Sequence, residues 1–431
     1  MMASVHAGHP PAPRATGSWV LYDLANTIFS MNIVSTYLSL WVVNAQGGTD
    51  SDFGYAVTIS MAVIFVLSPI LGALTDQAPR RMPFLIVSTL VCVAMTMMIG
   101  SGSMVASLIY FGIANVAYNA GLQFYDALLP EVSTETTRGR ISGIGVGVGY
   151  IGAFIGIGLG MWLLGTGIDD LPAAEQSLRY QRVFVVTGVL FLVFAIPCFL
   201  FVPERGRPNR RMSMAAISGA MTQVAATFRN TGRYPGLARF LIGRAFYADA
   251  INTVIVFMAL YASDEVGMGT DRAQILLAVA IAFAVVGGLV WGRIVDRIGP
   301  KRTLTRVLQL WVLTFTWTAV VGFLPLPAWT FWPVPILAGV ALGGTWTADR
   351  PYMLRLTPPA RVGEFYGLYG MVGRFSAIIG PLTWSLVADV LGLGRPAAVT
   401  VLLGMIIASY IILAPVSDAP REWSDQERMP A

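Results

Sequence analysis

The sequence predicts an all-α membrane protein with twelve transmembrane helices in two six-helix, pseudo-symmetric halves. Three observations predict it. Only 12% of the 431 residues are charged and 55% are hydrophobic, whereas a soluble protein carries about 25% charged residues. The apolar residues gather into runs of about 20, the length a helix needs to cross a hydrocarbon core of roughly 30 Å. Motifs of the first half recur in the same order in the second. This composition argues against a water-soluble enzyme. The net charge of +5 would suggest nucleic acid in a soluble protein, but in a membrane protein its distribution over the loops matters more.

In chain order, residues 1–17 form a polar, proline-rich tail holding the only histidines, His6 and His9. The first half, 18–202, contains spans at 18–43, 54–74, 83–101, 104–128, 139–164 and 182–202. A linker covers 203–238. The second half, 239–415, contains spans at 239–262, 271–294, 303–323, 330–353, 363–388 and 397–415, and 416–431 is a second tail. The first span is too long for the apolar core of a signal peptide, so no cleaved leader is expected. Within the linker Met214, Ile217, Met221, Val224 and Phe228 recur at helical spacing, flanked by Arg210, Arg211 and Arg229. That pattern predicts an amphipathic interfacial helix joining the halves; a linker without lasting helix is the alternative.

Orientation follows from Lys and Arg. Of 28 such residues, 21 fall on the side of the tails and linker, and four (Arg179, Arg182, Arg272, Arg395) on the other. The positive-inside rule then puts both termini in the cytoplasm, and the expected location is a bacterial cytoplasmic (inner) membrane.

The repeat is explicit. Tyr22-Asp23-Leu24-Ala25-Asn26-Thr27 in the first span matches Tyr247-Ala248-Asp249-Ala250-Ile251-Asn252-Thr253 in the seventh, both reading Asp-x-x-Asn-Thr. Gly72-Ala73-Leu74-Thr75-Asp76 before Arg80-Arg81 matches Gly292-Arg293-Ile294-Val295-Asp296 before Lys301-Arg302. Arg138-Gly139-Arg140-Ile141-Ser142-Gly143 is echoed loosely by Arg361-Val362-Gly363-Glu364-Phe365-Tyr366-Gly367. Parallel six-span repeats about an axis along the membrane normal describe the major facilitator architecture.

Particular residues narrow the resemblance. Gly72-x-x-x-Asp76-x-x-x-Arg80-Arg81 resembles the signature loop of major facilitators. Ser18-Trp19-Val20-Leu21-Tyr22-Asp23, Tyr125-Asp126-Ala127-Leu128-Leu129-Pro130-Glu131, the Tyr247–Thr253 motif and Glu364-Phe365-Tyr366-Gly367-Leu368-Tyr369-Gly370 with Arg374 look like the autophagy-related vacuole effluxer-like branch. Leu24 departs from that branch, which usually has Trp there. The resemblance covers about 18–415 and implies solute export, of amino acids in the eukaryotic members.

Seven charges away from the span ends or on the cavity-lining spans are the intramembrane candidates: Asp23, Asp126, Arg244, Asp249, Asp349, Arg350 and Arg374. A charge at mid-bilayer costs about 2.5–3.5 kcal/mol on insertion scales, so such residues usually mark a pathway or a gate. By the major facilitator resemblance, spans one, four, seven and ten line the central cavity, and six of the seven sit on them. Asp23, Asp126 and Asp349, with Arg350, are close to inner span ends and suit a gate. Asp249 and Arg374 are deeper and suit substrate or proton binding, with Arg244, Asn26, Thr27, Asn119, Gln123, Asn252 and Thr253 as further candidates. Ion pairs that only fix helix packing are the structural alternative. Asp76, Arg80, Arg81, Asp296, Lys301 and Arg302 are read as loop latches, because an Asp recurs at the same place in both copies. Simple positive-inside anchoring would explain the cations alone.

Gly147-Val148-Gly149-Tyr150-Ile151-Gly152 fits a dinucleotide pattern but follows no strand, and it reads as a small-residue stripe for close helix packing. Two cysteines, Cys92 and Cys198, both inside spans, and two tail histidines supply no zinc site, disulfide framework or Cys–His pair. No cofactor and no metal are expected. The reading is a secondary transporter of a small polar solute, an amino acid or similar metabolite, working by efflux and alternating access as a monomer. Its partners are that small-molecule substrate, a coupling proton and the lipid bilayer, with no nucleic acid. A homologue without transport, serving as membrane receptor or assembly factor, is the alternative.

Overall fold

Long apolar runs have one economical way to satisfy every backbone polar group in lipid, which is helix. The computed structural model describes residues 12–204, 234–268, 270–324 and 326–417, with 419, 421 and 423. The linker pattern from Met214 to Phe228 and most of both tails lie outside them. Twelve long helices and no strand occur among the described residues. They are α1 (Pro13–Ala45), α2 (Asp50–Gln77), α3 (Met82–Met98), α4 (Met104–Asp126), α5 (Arg138–Leu164) and α6 (Ala173–Phe201) in the first half. The second half holds α7 (Leu237–Asp264), α8 (Thr270–Ile298), α9 (Pro300–Phe323), α10 (Pro333–Leu356), α11 (Val362–Ser385) and α12 (Arg395–Leu413).

Among the described residues, ten of these helices contain a stretch long and apolar enough to cross a membrane; α3 is apolar but shorter, and α10 carries Asp349 and Arg350. Local chemistry fixes several ends. Thr49 and Asp52 form a reciprocal capping box at α2, and Ser103 caps α4. Gly299 alone separates α8 from α9. It takes φ +88°, which a side chain would oppose, and Pro300 then starts α9 with its preset φ. α6 begins at Ala173 rather than near 182, because Glu175 and Arg179 pair one turn apart and extend the helix beyond its apolar run. α1 widens into π-helical turns at Ser30–Thr36 and Trp41–Ala45, and α11 runs into another at Leu386–Val390.

The two halves pack alike. α1 lies on α5 and α6, α3 on α4 and α6, and α2 on α4; the same pairs, six helices on, recur in the second half. Between halves α2 meets α11 and α5 meets α8. These seams close at the end of the bundle where the linker attaches, called here the linker side. A Cβ on Gly143 would overlap the Gly288 carbonyl and lie 2.8 Å from Gly292 Cα, and one on Gly72 would overlap the Gly363 carbonyl. The backbones touch, so only glycine fits. Gly145, Gly149 and Gly152 of α5 face Trp19, Thr27 and Leu24 of α1, which accounts for the dinucleotide-like pattern as helix packing.

Candidate functional site

A cavity of about 1260 Å³ lies between the halves. Its walls come from α1, α2, α5, α7, α8, α9, α10 and α11, and its floor is Asp23, Tyr150, Trp346 and Arg350. It exceeds the roughly 300–1,000 Å³ usual for a small-molecule pocket. Most of the wall is apolar, with Met31, Met61, Trp311, Phe315 and Leu342; Thr27, Ser30, Thr314 and Thr318 add hydroxyls. The π-helical turn at Ser30–Thr36 presents Ser30, Met31, Val34, Ser35 and Thr36 to this space.

The floor is an ion cluster shared by the halves. Arg350 of α10 donates from Nη1 to Asp23 Oδ2 of α1 at 3.1 Å, and its Nε lies 3.0 Å from Asp126 Oδ1 of α4. The guanidinium sits 6.0 Å from the Trp19 ring centre and 5.7 Å from that of Tyr125. Those rings stack at 4.4 Å, and Trp19 Nε1 donates to the Tyr125 carbonyl. Charge and aromatic faces together hold the planar fork in place.

Asp349, the preceding residue, is placed differently. It is fully buried and accepts from Arg244 Nε at 3.0 Å, from Tyr247 Oη at 2.5 Å and from Tyr369 Oη at 2.7 Å. Arg244 also donates to the Tyr369 carbonyl and packs its guanidinium 3.6 Å from that ring's centre. All four residues belong to the second half.

Arg374 does not line the cavity. It reaches from α11 into the first half, donating to Ser68 Oγ of α2 at 2.7 Å and the Asn119 carbonyl of α4 at 2.8 Å. Gln123 Nε2 donates to the Ser68 carbonyl, and the Asn119 amide is spent on Asn115. Asp249 is buried against α11, and its Oδ1 has no hydrogen-bond partner among the described residues; the same holds for both amide atoms of Asn26. Thr253 Oγ1 donates to the Asp249 carbonyl and Thr27 Oγ1 to that of Asp23, while Asn252 is half-buried. Of the candidates named from sequence, Asp23, Thr27 and Arg350 line the cavity.

On the linker side, each repeated Asp caps a helix of the opposite half. Asp76 accepts from the Gly363 and Glu364 amides that begin α11, at 2.8 and 2.7 Å. Asp296 accepts from the Gly139 and Arg140 amides that begin α5, at 2.7 and 3.0 Å. A carboxylate there meets free N–H groups and the positive end of the helix dipole. Arg81 is buried and donates to Asp76 at 2.6 Å and to the Ala127 carbonyl. Lys301 donates to the Ala414 carbonyl instead, and Arg80 and Arg302 are exposed. Sequence reasoning did not find Glu204, whose carboxylate accepts from the Arg81 and Met82 amides at the start of α3. Its signal was an acidic residue directly after a span, three residues past Phe201.

Twelve membrane helices in two repeated halves around a charged central cavity define a transporter of the major facilitator class. The chain belongs to the Atg22-like vacuole effluxer family, whose model matches residues 40–426. It is 24% identical over 424 residues to YxiO, an uncharacterized MFS-type transporter of Bacillus subtilis (strain 168), covering 96% of this chain and 97% of that one. Autophagy-related protein 22-1 of Neosartorya fischeri is 25% identical over 303 residues, covering 65% of this chain and 49% of the fungal protein, about half its length. The crystal structure of the human organic anion transporter MFSD10 (TETRAN) superposes with a TM-score of 0.74 at 14% identity, covering 94% and 100% of the two chains. The chain is thus a multi-pass membrane transporter of a small molecule and not an enzyme.

Proposed function

We propose that the chain exports an amino acid or similar zwitterion, with an apolar body, by proton-coupled alternating access across a bacterial cytoplasmic membrane. The observation that carries this reading is the Asp23–Arg350–Asp126 cluster at the cavity floor. A zwitterion offers a carboxylate to Arg350 and an ammonium to Asp23, so it replaces the bonds that hold the halves together. Each charge-assisted hydrogen bond contributes about 1.5–3 kcal/mol, and the solute supplies substitutes as the floor parts. The apolar wall suits a hydrophobic side chain. The family's description as effluxer supports export, and the cation excess beside the linker supports cytoplasmic termini.

In this reading the structure is outward-facing. The linker-side seams, the two Asp caps and the Arg350 cluster form the closed inner gate. Asp249, repeat partner of Asp23, is the candidate proton carrier because a carboxylate oxygen lies buried without a partner. The test is flux in proteoliposomes, with amino acids, peptides and organic ions as solutes. Asp249→Asn is expected to abolish flux driven by a pH gradient while solute counterflow persists. Retained pH-driven flux in that variant would remove Asp249 from coupling. Absence of counterflow for every amino acid would overturn the substrate class.

A further inference from the structure

We propose that the Gly380–Pro381 step of α11 is a seal separating Asp249 from the cavity, and that displacement of this step admits and releases the coupling proton. The inference rests on the coupling role proposed for Asp249. Asp249 is only 2% exposed and does not line the cavity. What covers it is the bare face of Gly380. A Cβ there would overlap Thr253 Oγ1 and lie 2.7 Å from Asp249 Oδ1 and 3.1 Å from the Asp249 carbonyl oxygen. Three oxygens therefore converge on one Cα, and no side chain fits between α7 and α11. A hydrated or coordinated metal cation does not fit either, whereas a proton needs no volume.

The next residue is already on the other side of the seal. Pro381, Leu382 and Ser385 line the cavity, so about one turn of α11 stands between the solute space and the carboxylate. That turn has the chemistry to shift. Pro381 has no N–H, so the carbonyl of residue 377 lacks its helical donor. The π-helical turn at Leu386–Val390 follows directly, and such turns absorb local changes of register.

Other charges on the elements around Asp249 are engaged or distant along the helices. Arg244 on α7 is bound to Asp349 of α10, and Arg350 of α10 to Asp23 and Asp126. Arg374 on α11 is bound to Ser68 and Asn119. Glu364 lies at the start of α11, and the charges of α8 and α12 lie at their ends. When the step opens, a hydronium ion in the cavity transfers its proton to Asp249 and leaves water; the reverse transfer to water follows on the opposite side.

The experiment is carbodiimide labelling of Asp249 in proteoliposomes, followed by mass spectrometry, with a pH-sensitive dye reporting proton leak. Gly380→Ala is expected to label about ten-fold faster than wild type and to leak protons without solute, since overpacking strain of ordinary size favours the displaced helix. Pro381→Ala restores an N–H and is expected to slow both labelling and pH-driven flux. Wild-type labelling rates in folded Gly380→Ala overturn the seal. Where Gly380→Ala does not fold, unchanged labelling in Pro381→Ala overturns it. Labelling reads the seal whether or not Asp249 couples, so retained pH-driven flux in Asp249→Asn ends the coupling role alone.

Discussion

Asp349 and Arg350 are neighbours on α10, both charged and both withdrawn from solvent, yet their partners lie in different halves. Asp349 is held by Arg244, Tyr247 and Tyr369 of its own half. Arg350 holds Asp23 and Asp126 of the opposite half. Consecutive residues on a helix point about 100° apart, which is enough to send one into a bundle core and the other across the seam. A buried charge inside a transporter is thus not by itself a gate. The test is whether its bonds must break when the halves rock: those of Arg350 must, and those of Asp349 need not.

The largest expected effect comes from breaking the fixed cluster. Arg244→Gln leaves Asp349 buried without its cation, a loss of about 3–5 kcal/mol for a broken buried pair. Thermal unfolding should drop sharply, with no preference for either transport state. A variant of wild-type stability with altered gating would turn this cluster into a second gate and dissolve the contrast. Arg350→Gln should act the other way, folding but losing both bonds across the halves. The hydrogen bond to Asp23 alone, at about 1.5–3 kcal/mol, shifts the balance roughly 10–100-fold toward the state open on the linker side. A Thr347→Cys reporter, buried on α10 against Gly143 of α5 across the seam between the halves, should then react faster with a thiol reagent than in the parent. Unchanged reactivity would deny Arg350 the gate.

The contrast explains which parts were legible in the sequence. Twelve spans, two halves and the matched Asp76 and Asp296 follow from charge scarcity and from motifs repeated at nearly one offset, because both are linear features of the chain. The azimuth of a side chain is not linear. Counting residues from a span end gives depth, so Arg374 reads as a midplane charge, but depth does not say that it faces Ser68 and Asn119 rather than the cavity. In soluble helices an apolar stripe reveals the buried face. Here the lipid-facing side is as apolar as the packed one, and small residues such as Gly143 and Gly380 mark the contacts instead. Glu204 escaped because its partners are backbone amides of α3, which no side-chain pattern records.

The smallest expected effect sharpens the comparison on the linker side, where the repeat looks most exact but its wiring is not. Asp76 and Asp296 each accept two amides at the start of a helix in the opposite half. Asn in place of either loses one acceptor and the charge that meets the helix dipole, the latter at about 0.3–1 kcal/mol. Each variant should therefore favour opening, by less than Arg350→Gln. Asp76, however, also holds the buried Arg81 guanidinium, whose other contact is the Ala127 carbonyl, one residue after Asp126 of the gate. Asp296 has no salt-bridged cation among the described residues. Asp76→Asn strands Arg81 and frees the end of α4 that carries Asp126, so it should raise Thr347→Cys reactivity more than Asp296→Asn does. Equal increases would mean that both acids act only as helix caps; a larger increase with Asp76→Asn ties the first-half latch to the Arg350 cluster.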